Sequence, residues 1–249
     1  MAKRKKHPRR QNTRIAVLLF SFLLFPVVMN YLSPYIIIDA AFQGIISGSF
    51  LLFGILFTSS LFVGRLWCSW VCPVSGLQEV SFAINNRFVS KIDWLKWVIW
   101  VLWVGVIIFG AITAGGFSQV DPFYLTENGI SIDEPQKYII YYIVLVLIFF
   151  LSTFVGRRAF CHSTCWMAPF MILGRKARNL LNTPALRLTA ESEKCIDCDK
   201  CTNICPMSLD VHQMVRSESM ENAECILCGK CIDICPKDVI HYALKPGKK

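Results

Sequence analysis

Residues 195–206 read CIDCDKCTNICP, and residues 225–236 repeat the same spacing as CILCGKCIDICP. Each run has three cysteines at every third position and a fourth cysteine four residues further on, followed directly by proline. Thiolates three residues apart on a tight turn can surround one metal centre. The proline stops a helix from continuing through the fourth cysteine, because proline lacks a backbone N–H. The two runs therefore predict two metal-thiolate centres near the C-terminal end.

The spacing CxxCxxCxxxCP is that of two-cluster bacterial ferredoxins, in which the fourth cysteine of each run binds the cluster of the other run. The sequence thus predicts two [4Fe-4S] clusters. The predicted ligands are Cys195, Cys198, Cys201 and Cys235 for cluster 1, and Cys225, Cys228, Cys231 and Cys205 for cluster 2. Zinc is the alternative, since CxxC pairs also form tetrahedral zinc sites. Disulfides are disfavoured, because such clusters are usually assembled in a reducing compartment.

The rest of the chain is too apolar for an ordinary water-soluble domain. Hydrophobic residues make up 54% of the sequence, and the mean hydropathy is +0.47. Four apolar segments, roughly 15–38, 42–63, 94–114 and 138–155, each approach the ~20 residues that cross a bilayer. We therefore expect a mostly α membrane protein with four transmembrane helices in two repeated hairpins, followed by a C-terminal α+β two-cluster ferredoxin-like module.

Charge suggests how these parts are arranged across the membrane. Residues 1–14 form a basic tail, 15–190 the transmembrane domain, and 191–249 the ferredoxin-like domain. The connection 116–137 is acidic, whereas 65–93 carries Arg65, Arg87 and Lys91. The positive-inside rule then predicts a multi-pass protein of the cytoplasmic (inner) membrane, with both termini and the ferredoxin module in the cytoplasm. The net charge of +9 fits anionic lipid better than nucleic acid.

Two similar motifs follow the second and fourth apolar segments. Residues 62–65 read FVGR and lead to Cys68 and Cys72, and residues 154–157 also read FVGR and lead to Cys161 and Cys165. This is an internal repeat, and both CxxxC pairs are expected at the cytoplasmic membrane face. On a helix, positions four residues apart share one face. The four thiols could therefore converge.

Several interpretations of these four cysteines stay open. Buried cysteine can act as a small apolar residue without further function. Soft thiolates also suit an iron-sulfur cluster or Cu(I), and a redox-active dithiol is a further option. The repeat favours a third redox or metal centre, near which His162 could act as a ligand or proton donor. We find no GxGxxG unit, no Walker A motif and no CxxCH haem motif in the sequence.

The paired ferredoxin runs, the segment GRLWCSWVCP at 64–73 and the second CxxxC after Gly-Arg resemble the NapH/NosR-type membrane ferredoxins. The resemblance covers about residues 15–242. It implies electron transfer between a membrane quinol pool or cytoplasmic donor and a redox partner, as a quinol-dehydrogenase-like component of an oxidoreductase. The family motif is CxxxCP, and here Cys165 is followed by Trp166 rather than proline. The second site therefore departs from the family pattern.

The function that we expect is that of a membrane-anchored iron-sulfur electron-transfer protein. Two alternatives remain. A more distant similarity to membrane cupric reductases implies reduction of Cu(II) at the CxxxC cysteines, and a redox-sensing or assembly scaffold would hold clusters without turning over a substrate. Expected partners are membrane lipid, quinol and a redox protein, and no nucleic acid.

Overall fold

The computed structural model describes residues 8–89 and 92–247 of the chain, and these residues are mainly helical. The helices are α1 (Pro8–Leu23), α2 (Phe25–Val28), α3 (Pro34–Phe42), α4 (Gly48–Val63), α5 (Leu66–Trp70), α6 (Pro73–Ile84), α7 (Asp93–Thr113), α8 (Lys137–Phe154), α9 (Ala159–Ser163), α10 (Ala168–Leu180), α11 (Lys200–Asn203), α12 (Val211–Arg216) and α13 (Lys230–Ile234). The strands are β1 (Ile45–Ser47), β2 (Gln119–Asp121), β3 (Ala185–Ala190) and β4 (Ile240–Lys245). Residues 1–7 of the predicted basic tail, and Lys91, lie outside the described residues.

The first apolar segment, predicted as one transmembrane helix over 15–38, is not a single helix. α1 ends at Leu23, α2 is a single turn, and α3 begins at Pro34. Pro26 and Pro34 explain the breaks, because proline removes a backbone donor and disfavours helical geometry in the residue before it. Ser33 is accordingly extended, with ψ of 129°. The prediction of a continuous helix is wrong for this segment.

Two described helices, α7 and α8, are long and apolar enough to cross a membrane by length and composition. α4 is also apolar but has 16 residues. At 1.5 Å per residue such a helix is about 24 Å long, which is shorter than the ~30 Å hydrocarbon core of a bilayer. Four transmembrane helices are therefore not confirmed.

The two halves of the helical part exchange helices. α6 follows the first cysteine pair and packs on α8, which precedes the second pair. In return, α10 follows the second pair and packs on α4, which precedes the first. α1 covers α6, and α3 packs on α7. The exchange ties both halves into one unit and brings the ends of α4 and α8, where the cysteine pairs begin, to the same end of the bundle.

The contact between α10 and α4 depends on Gly174. A Cβ added at Gly174 would lie 1.9 Å from the Ser60 Oγ and 2.7 Å from the Phe57 carbonyl oxygen. Real carbon atoms do not approach oxygen so closely, so only glycine allows the two helices to meet at this distance.

Residues 8–14 of the predicted basic tail form the start of α1 and are held by carboxylates. Arg14 is fully buried, and its guanidinium donates to both oxygens of Glu79 at 3.0 Å. Arg10 pairs with Asp233 of the C-terminal module. Gln11 donates to the Cys228 carbonyl at 3.1 Å. This part of the basic segment is therefore packed against the rest of the protein, where half-buried acids neutralise part of its charge.

The C-terminal module is closed by a two-stranded antiparallel sheet. β3 pairs with β4 in a register that runs from Ala185 opposite Lys245 to Ala190 opposite Ile240. The module therefore includes Ala185–Ala190, which lie before the predicted boundary at residue 191. The cysteine runs and helices α11 to α13 lie between these two strands in sequence.

At the other end of the molecule, β1 and β2 form a short parallel pair from Ile45 opposite Gln119 to Ser47 opposite Asp121. β1 immediately precedes α4, whereas the first cysteine pair follows the end of α4. This sheet therefore lies at the end of the bundle opposite the cysteines.

Candidate iron-sulfur sites

Cysteines from both ferredoxin runs line one cavity in the C-terminal module. Its cysteines are Cys205, Cys225, Cys228 and Cys231. Cys205 comes from the first run and the others from the second, so the chain crosses in the way that the spacing suggests. The group is the one that the sequence assigns to cluster 2.

The second cavity of the module lies nearer to solvent. Its cysteines are Cys195, Cys198, Cys201 and Cys235, the group assigned to cluster 1. Cys198 is exposed, and the side chain of Ile196 beside it is 53% exposed. An electron partner could therefore approach this end of the module more closely than the buried cavity of cluster 2.

The donor atoms fit iron-sulfur clusters. Burial, with a further contribution from Cys228, raises the pKa of the Cys205 thiol to about 12. Burial and then Cys228 also hold the pKa of Cys231 well above its usual range. Metal ligation needs the thiolate form, so these sulfurs would ionise only beside a strongly positive group. Two sets of four soft sulfurs, each lining one cavity, match what iron-sulfur clusters require.

The four cysteines of the CxxxC pairs, here called the four-thiol site (Cys68, Cys72, Cys161 and Cys165), also converge. Each is only 5–6% exposed. Burial, followed by charge on Cys161 and Cys68, raises the pKa of Cys165 to about 12. Burial and then the other three thiols raise the pKa of Cys72 in the same way. The thiols of the two pairs thus interact electrostatically with one another.

The helix exchange supplies further contacts to these thiols. Gln78 of α6, which follows the first pair, donates its Nε2 to the Cys161 Sγ of the second pair at 3.2 Å. Met171 of α10, which follows the second pair, lies with its Sδ 3.8 Å from the Cys68 Sγ of the first. Each half therefore supports the cysteines of the other.

The proline that Cys165 lacks at the next position is present slightly later in the chain. Pro73 begins α6 directly after Cys72, and Pro169 lies in the first turn of α10. Both cysteine pairs also share a backbone pattern, in which the second cysteine donates its N–H to the carbonyl of Trp67 or Phe160 at 3.0 Å. The departure from CxxxCP therefore leaves the local fold similar.

In the structure, the arginine of the second half that is equivalent to Arg65 is not the one that the FVGR repeat indicates. Arg65 lies three residues before Cys68, and the residue three before Cys161 is Arg158, not the Arg157 of the FVGR match. Arg65 and Arg158 directly precede α5 and α9, and both side chains are 1% exposed. Arg158 takes a left-handed φ of 47°, where the second half has one extra residue between its glycine and its first cysteine.

Arg65 and Arg158 belong to two buried ion-pair groups. Arg158 pairs with Glu79 at 2.7 Å, and Glu79 also binds Arg14 and Lys230. The three cations outweigh the cost of burial and hold the pKa of Glu79 far below its usual range, with Arg158 contributing most. Arg65 pairs with Glu224 at 2.7 Å.

The group around Glu224 continues to His162. Lys96 is fully buried and bonds to Glu224 at 2.6 Å and to Asp93 at 3.3 Å. The Nδ1 of His162 lies 2.7 Å from Asp93. Ligand atoms of Asp93, His162 and Glu224 come within 4.8 Å of one another, but the Lys96 ammonium already provides the positive charge for both carboxylates. His162 is therefore positioned by Asp93 beside the second cysteine pair.

A short hydrogen bond joins the four-thiol site to the cavity of cluster 2. Ser69, inside the first CxxxC pair, donates its Oγ to the carbonyl of Ile226 at 2.7 Å, and Ile226 lies between Cys225 and Cys228 in sequence. Arg158 donates to the Cys68 carbonyl at 3.2 Å, and its charge acts on both Cys161 and Cys228. The two sites are therefore direct neighbours.

Sequence analysis missed Glu79, Lys96 and Arg158 as parts of the site. Two of them carried a usable signal. Glu79 is the only charged residue in 66–86, and Lys96 lies within an apolar segment. Isolated charges in such segments usually have a specific role.

Comparison with protein families agrees with these sites. A model described as a 4Fe-4S binding domain matches residues 46–91 and again 139–184, and a 4Fe-4S dicluster domain matches 194–240. Each of the first two matches contains one CxxxC pair, and the third contains both ferredoxin runs. The chain therefore carries ferredoxin-type 4Fe-4S domains.

Curated relatives add a second line of comparison. The methylamine utilization ferredoxin-type protein MauN of Methylobacillus flagellatus is 24% identical over 187 residues, or 72% of this chain and 62% of the relative. MauN of Paracoccus denitrificans is 26% identical over 189 residues, with the same coverage. The putative electron transport protein YccM of Escherichia coli is 22% identical over 198 residues, or 75% of this chain and 54% of the relative.

The chain is homologous to these ferredoxin-type proteins, and it spans about three fifths of the length of MauN. No solved structure matches it.

Proposed function

We propose that this chain is a membrane-anchored electron-transfer protein with three iron-sulfur centres in a row. Iron-sulfur clusters, when bound, accept and release single electrons. Cys195, Cys198, Cys201 and Cys235 would hold the outer cluster, and Cys205, Cys225, Cys228 and Cys231 the middle one. The four-thiol site would hold the third cluster. The printed name of YccM, an electron transport protein, supports this kind of activity.

The hydrogen bond from Ser69 to Ile226 carries this proposal. It fixes the loop of the four-thiol site against the loop of cluster 2 at 2.7 Å. The two cysteine runs interleave in the ferredoxin module, so cluster 1 in turn adjoins cluster 2. The residues thus hold three sulfur-rich sites in contact from the membrane edge to the exposed Cys198.

A third cluster shared by both halves is supported by the domain matches. Each 4Fe-4S binding match contains two cysteines, and one cubane needs four thiolates. A shared centre would use all four thiols of the site. It would also explain why the two halves exchange helices at this position.

Membrane anchoring is supported by the exposed faces of α7 and α8. Only 22% of the apolar stretch of α7 and 17% of that of α8 is buried. The core helix of a water-soluble protein would be mostly buried. The partners proposed are membrane lipid, a quinol pool or a cytoplasmic donor, and a redox protein. Kinship with the NapH/NosR-type membrane ferredoxins remains part of this proposal.

Substitution of one cysteine from each pair tests the shared centre. Cys68→Ser and Cys161→Ser should each abolish electron transfer from the membrane-side donor to the ferredoxin module, while clusters 1 and 2 remain assembled. Because both variants destroy the same site, the double variant should cost little more than either single variant. Additive losses would indicate two independent sites. Intact electron transfer in both single variants would indicate that these thiols serve only in packing.

A copper function is the second candidate, and Met171 favours it. Its thioether lies 3.8 Å from the Cys68 sulfur and is 1% exposed, and thiolates with a thioether suit Cu(I). Under this hypothesis Met171 and the four thiols bind copper and the ferredoxin clusters supply the electron. Copper retained by the purified protein and lost in both Cys68→Ser and Met171→Leu would support it. Iron at this site, with no copper, would exclude it.

A further inference from the structure

Arg65 and Arg158 have a feature that their ion pairs do not explain. The Nε atom of each is buried and has no hydrogen-bond partner among the described residues. Their terminal nitrogens are used, by Glu224 in one case and by Glu79 in the other. A buried donor without a partner costs about 1–3 kcal/mol. Unpartnered buried nitrogens also occur at Arg178 and Arg187, but Arg65 and Arg158 occupy equivalent positions of the repeat, three residues before the first cysteine of each pair.

The charges around the four-thiol site do not balance. Among the described residues, five buried or nearly buried cations form the two ion-pair groups, namely Arg14, Arg65, Lys96, Arg158 and Lys230. Three carboxylates, Glu79, Asp93 and Glu224, oppose them. This leaves an excess of two positive charges, and protonation of His162 would increase it. Uncompensated charge at this depth is strongly unfavourable.

Whether the positive charge is compensated depends on the chemical state of the four cysteine sulfurs. Four protonated thiols, or two disulfides, would add no charge. Four thiolates around a doubly positive cubane core leave two negative charges. Charge on Cys68 and Cys161 acts directly on Arg65, and charge on Cys161 acts on Arg158. A dianionic cluster at this position would compensate part of the excess, together with the neighbouring cluster 2 on whose Cys228 Arg158 also acts, and it would provide acceptors for the free Nε donors.

We propose that Arg65 and Arg158 are a pair of cluster-binding cations that hold the anionic iron-sulfur centre of the four-thiol site and raise its reduction potential. This inference rests on the proposed third cluster. Uptake of one electron adds one negative charge to the centre, and nearby cations and N–H donors stabilise that more negative state. Neither arginine needs to ligate iron or change its protonation.

The two arginines should differ in which clusters they affect. Arg158 acts on Cys161 and also on Cys228 of the adjacent cavity. Among the thiols, Arg65 acts most on Cys68 and then on Cys161. Neutralising Arg65 should therefore change mainly the potential of the four-thiol centre, whereas neutralising Arg158 should also lower that of cluster 2.

The test is a potentiometric titration of the purified full-length protein, followed by EPR of each cluster. Arg65→Gln and Arg158→Gln should leave iron per polypeptide unchanged. Each should lower the ratio of reduced to oxidised four-thiol centre at least tenfold at a fixed applied potential. For a one-electron couple, a tenfold change in this ratio corresponds to a shift of about 59 mV in the reduction potential. Arg65→Lys, which keeps the charge, should restore most of the ratio. Glu79→Gln, which removes an anion, should shift it in the opposite direction.

Arg187→Gln is the matched control. Arg187 is also a buried arginine paired with a glutamate, Glu221, but its other contacts are Asn179 and the Lys245 carbonyl. It should not shift the potential of the four-thiol centre. If Arg65→Gln and Glu79→Gln both left that potential unchanged with the third cluster present, the inference would be wrong. Absence of a third cluster in the unmodified protein would instead refute the proposed function on which the inference rests.

Discussion

Cys205 is the single residue that best separates a crossed arrangement of ligands from two independent runs. It follows Cys201 by four residues, yet its side chain lines the same cavity as Cys225, Cys228 and Cys231. Cys205→Ser should therefore destroy the EPR signal of cluster 2, with a loss of about four iron atoms, and spare cluster 1. Spectra of Cys195→Ser and Cys225→Ser provide the references. Loss of the same signal as in Cys195→Ser would contradict the crossed arrangement.

Residue spacing predicts the two sets of ferredoxin cysteines because thiolate ligation leaves a regular pattern in one short stretch, and each set lines one cavity. It did not predict the environment of the four-thiol site. The FVGR repeat aligns Arg157 with Arg65 and therefore did not indicate Arg158 as the equivalent residue. The extra residue before Cys161 becomes visible only when the left-handed turn at Arg158 is seen. The role of Glu79 likewise depends on three cations from distant parts of the chain.

Among the helices, the exchange between halves rests on close packing at Gly174. Gly174→Ala should reduce stability, because overpacking costs about 1–3 kcal/mol and exceeds the ~0.4–1 kcal/mol that Gly→Ala can gain from a stiffer unfolded chain. The thermal unfolding midpoint in detergent would measure this. Gly105→Ala is the control, since a Cβ there meets no atom within 4 Å. It should leave the midpoint unchanged or slightly higher, and equal effects would argue against tight packing of α10 on α4.

The apolar segments predicted where helices occur but not where they break or pair. Hydropathy is continuous across 15–38, yet Pro26 and Pro34 divide this segment. Proline is tolerated in some membrane helices, so the sequence alone left both outcomes open. The pairing of α6 with α8 and of α10 with α4 depends on contacts between residues far apart in sequence, which no local pattern reveals.

For the molecule as a whole, the proposed orientation in the membrane can be tested directly. Reporter fusions at both termini and at the exposed Asn128 should report the termini in the cytoplasm and Asn128 outside, because the loop 116–137 is acidic. A reporter without cysteines avoids interference with cluster assembly. A terminus that reports from outside would overturn this orientation, and with it the cytoplasmic position of the ferredoxin module.

The N-terminal helix and the C-terminal module contact the same end of the helical bundle. Arg10 and Arg14 of α1 contact Asp233 and Glu79, and Ser69 contacts Ile226. These contacts hold the ferredoxin module in one orientation on the bundle. A rigid orientation keeps neighbouring redox sites at constant separation, which an electron relay requires.

Iron per polypeptide, measured on the purified protein together with EPR of its reduced form, tests the central claim most directly. Three clusters of four irons predict about 12 iron atoms per chain and three sets of signals. Cys68→Ser should lower the iron content to about 8 and remove one set. A value of about 8 for the unmodified protein, unchanged by Cys68→Ser, would contradict the claim that the four-thiol site is an iron-sulfur centre.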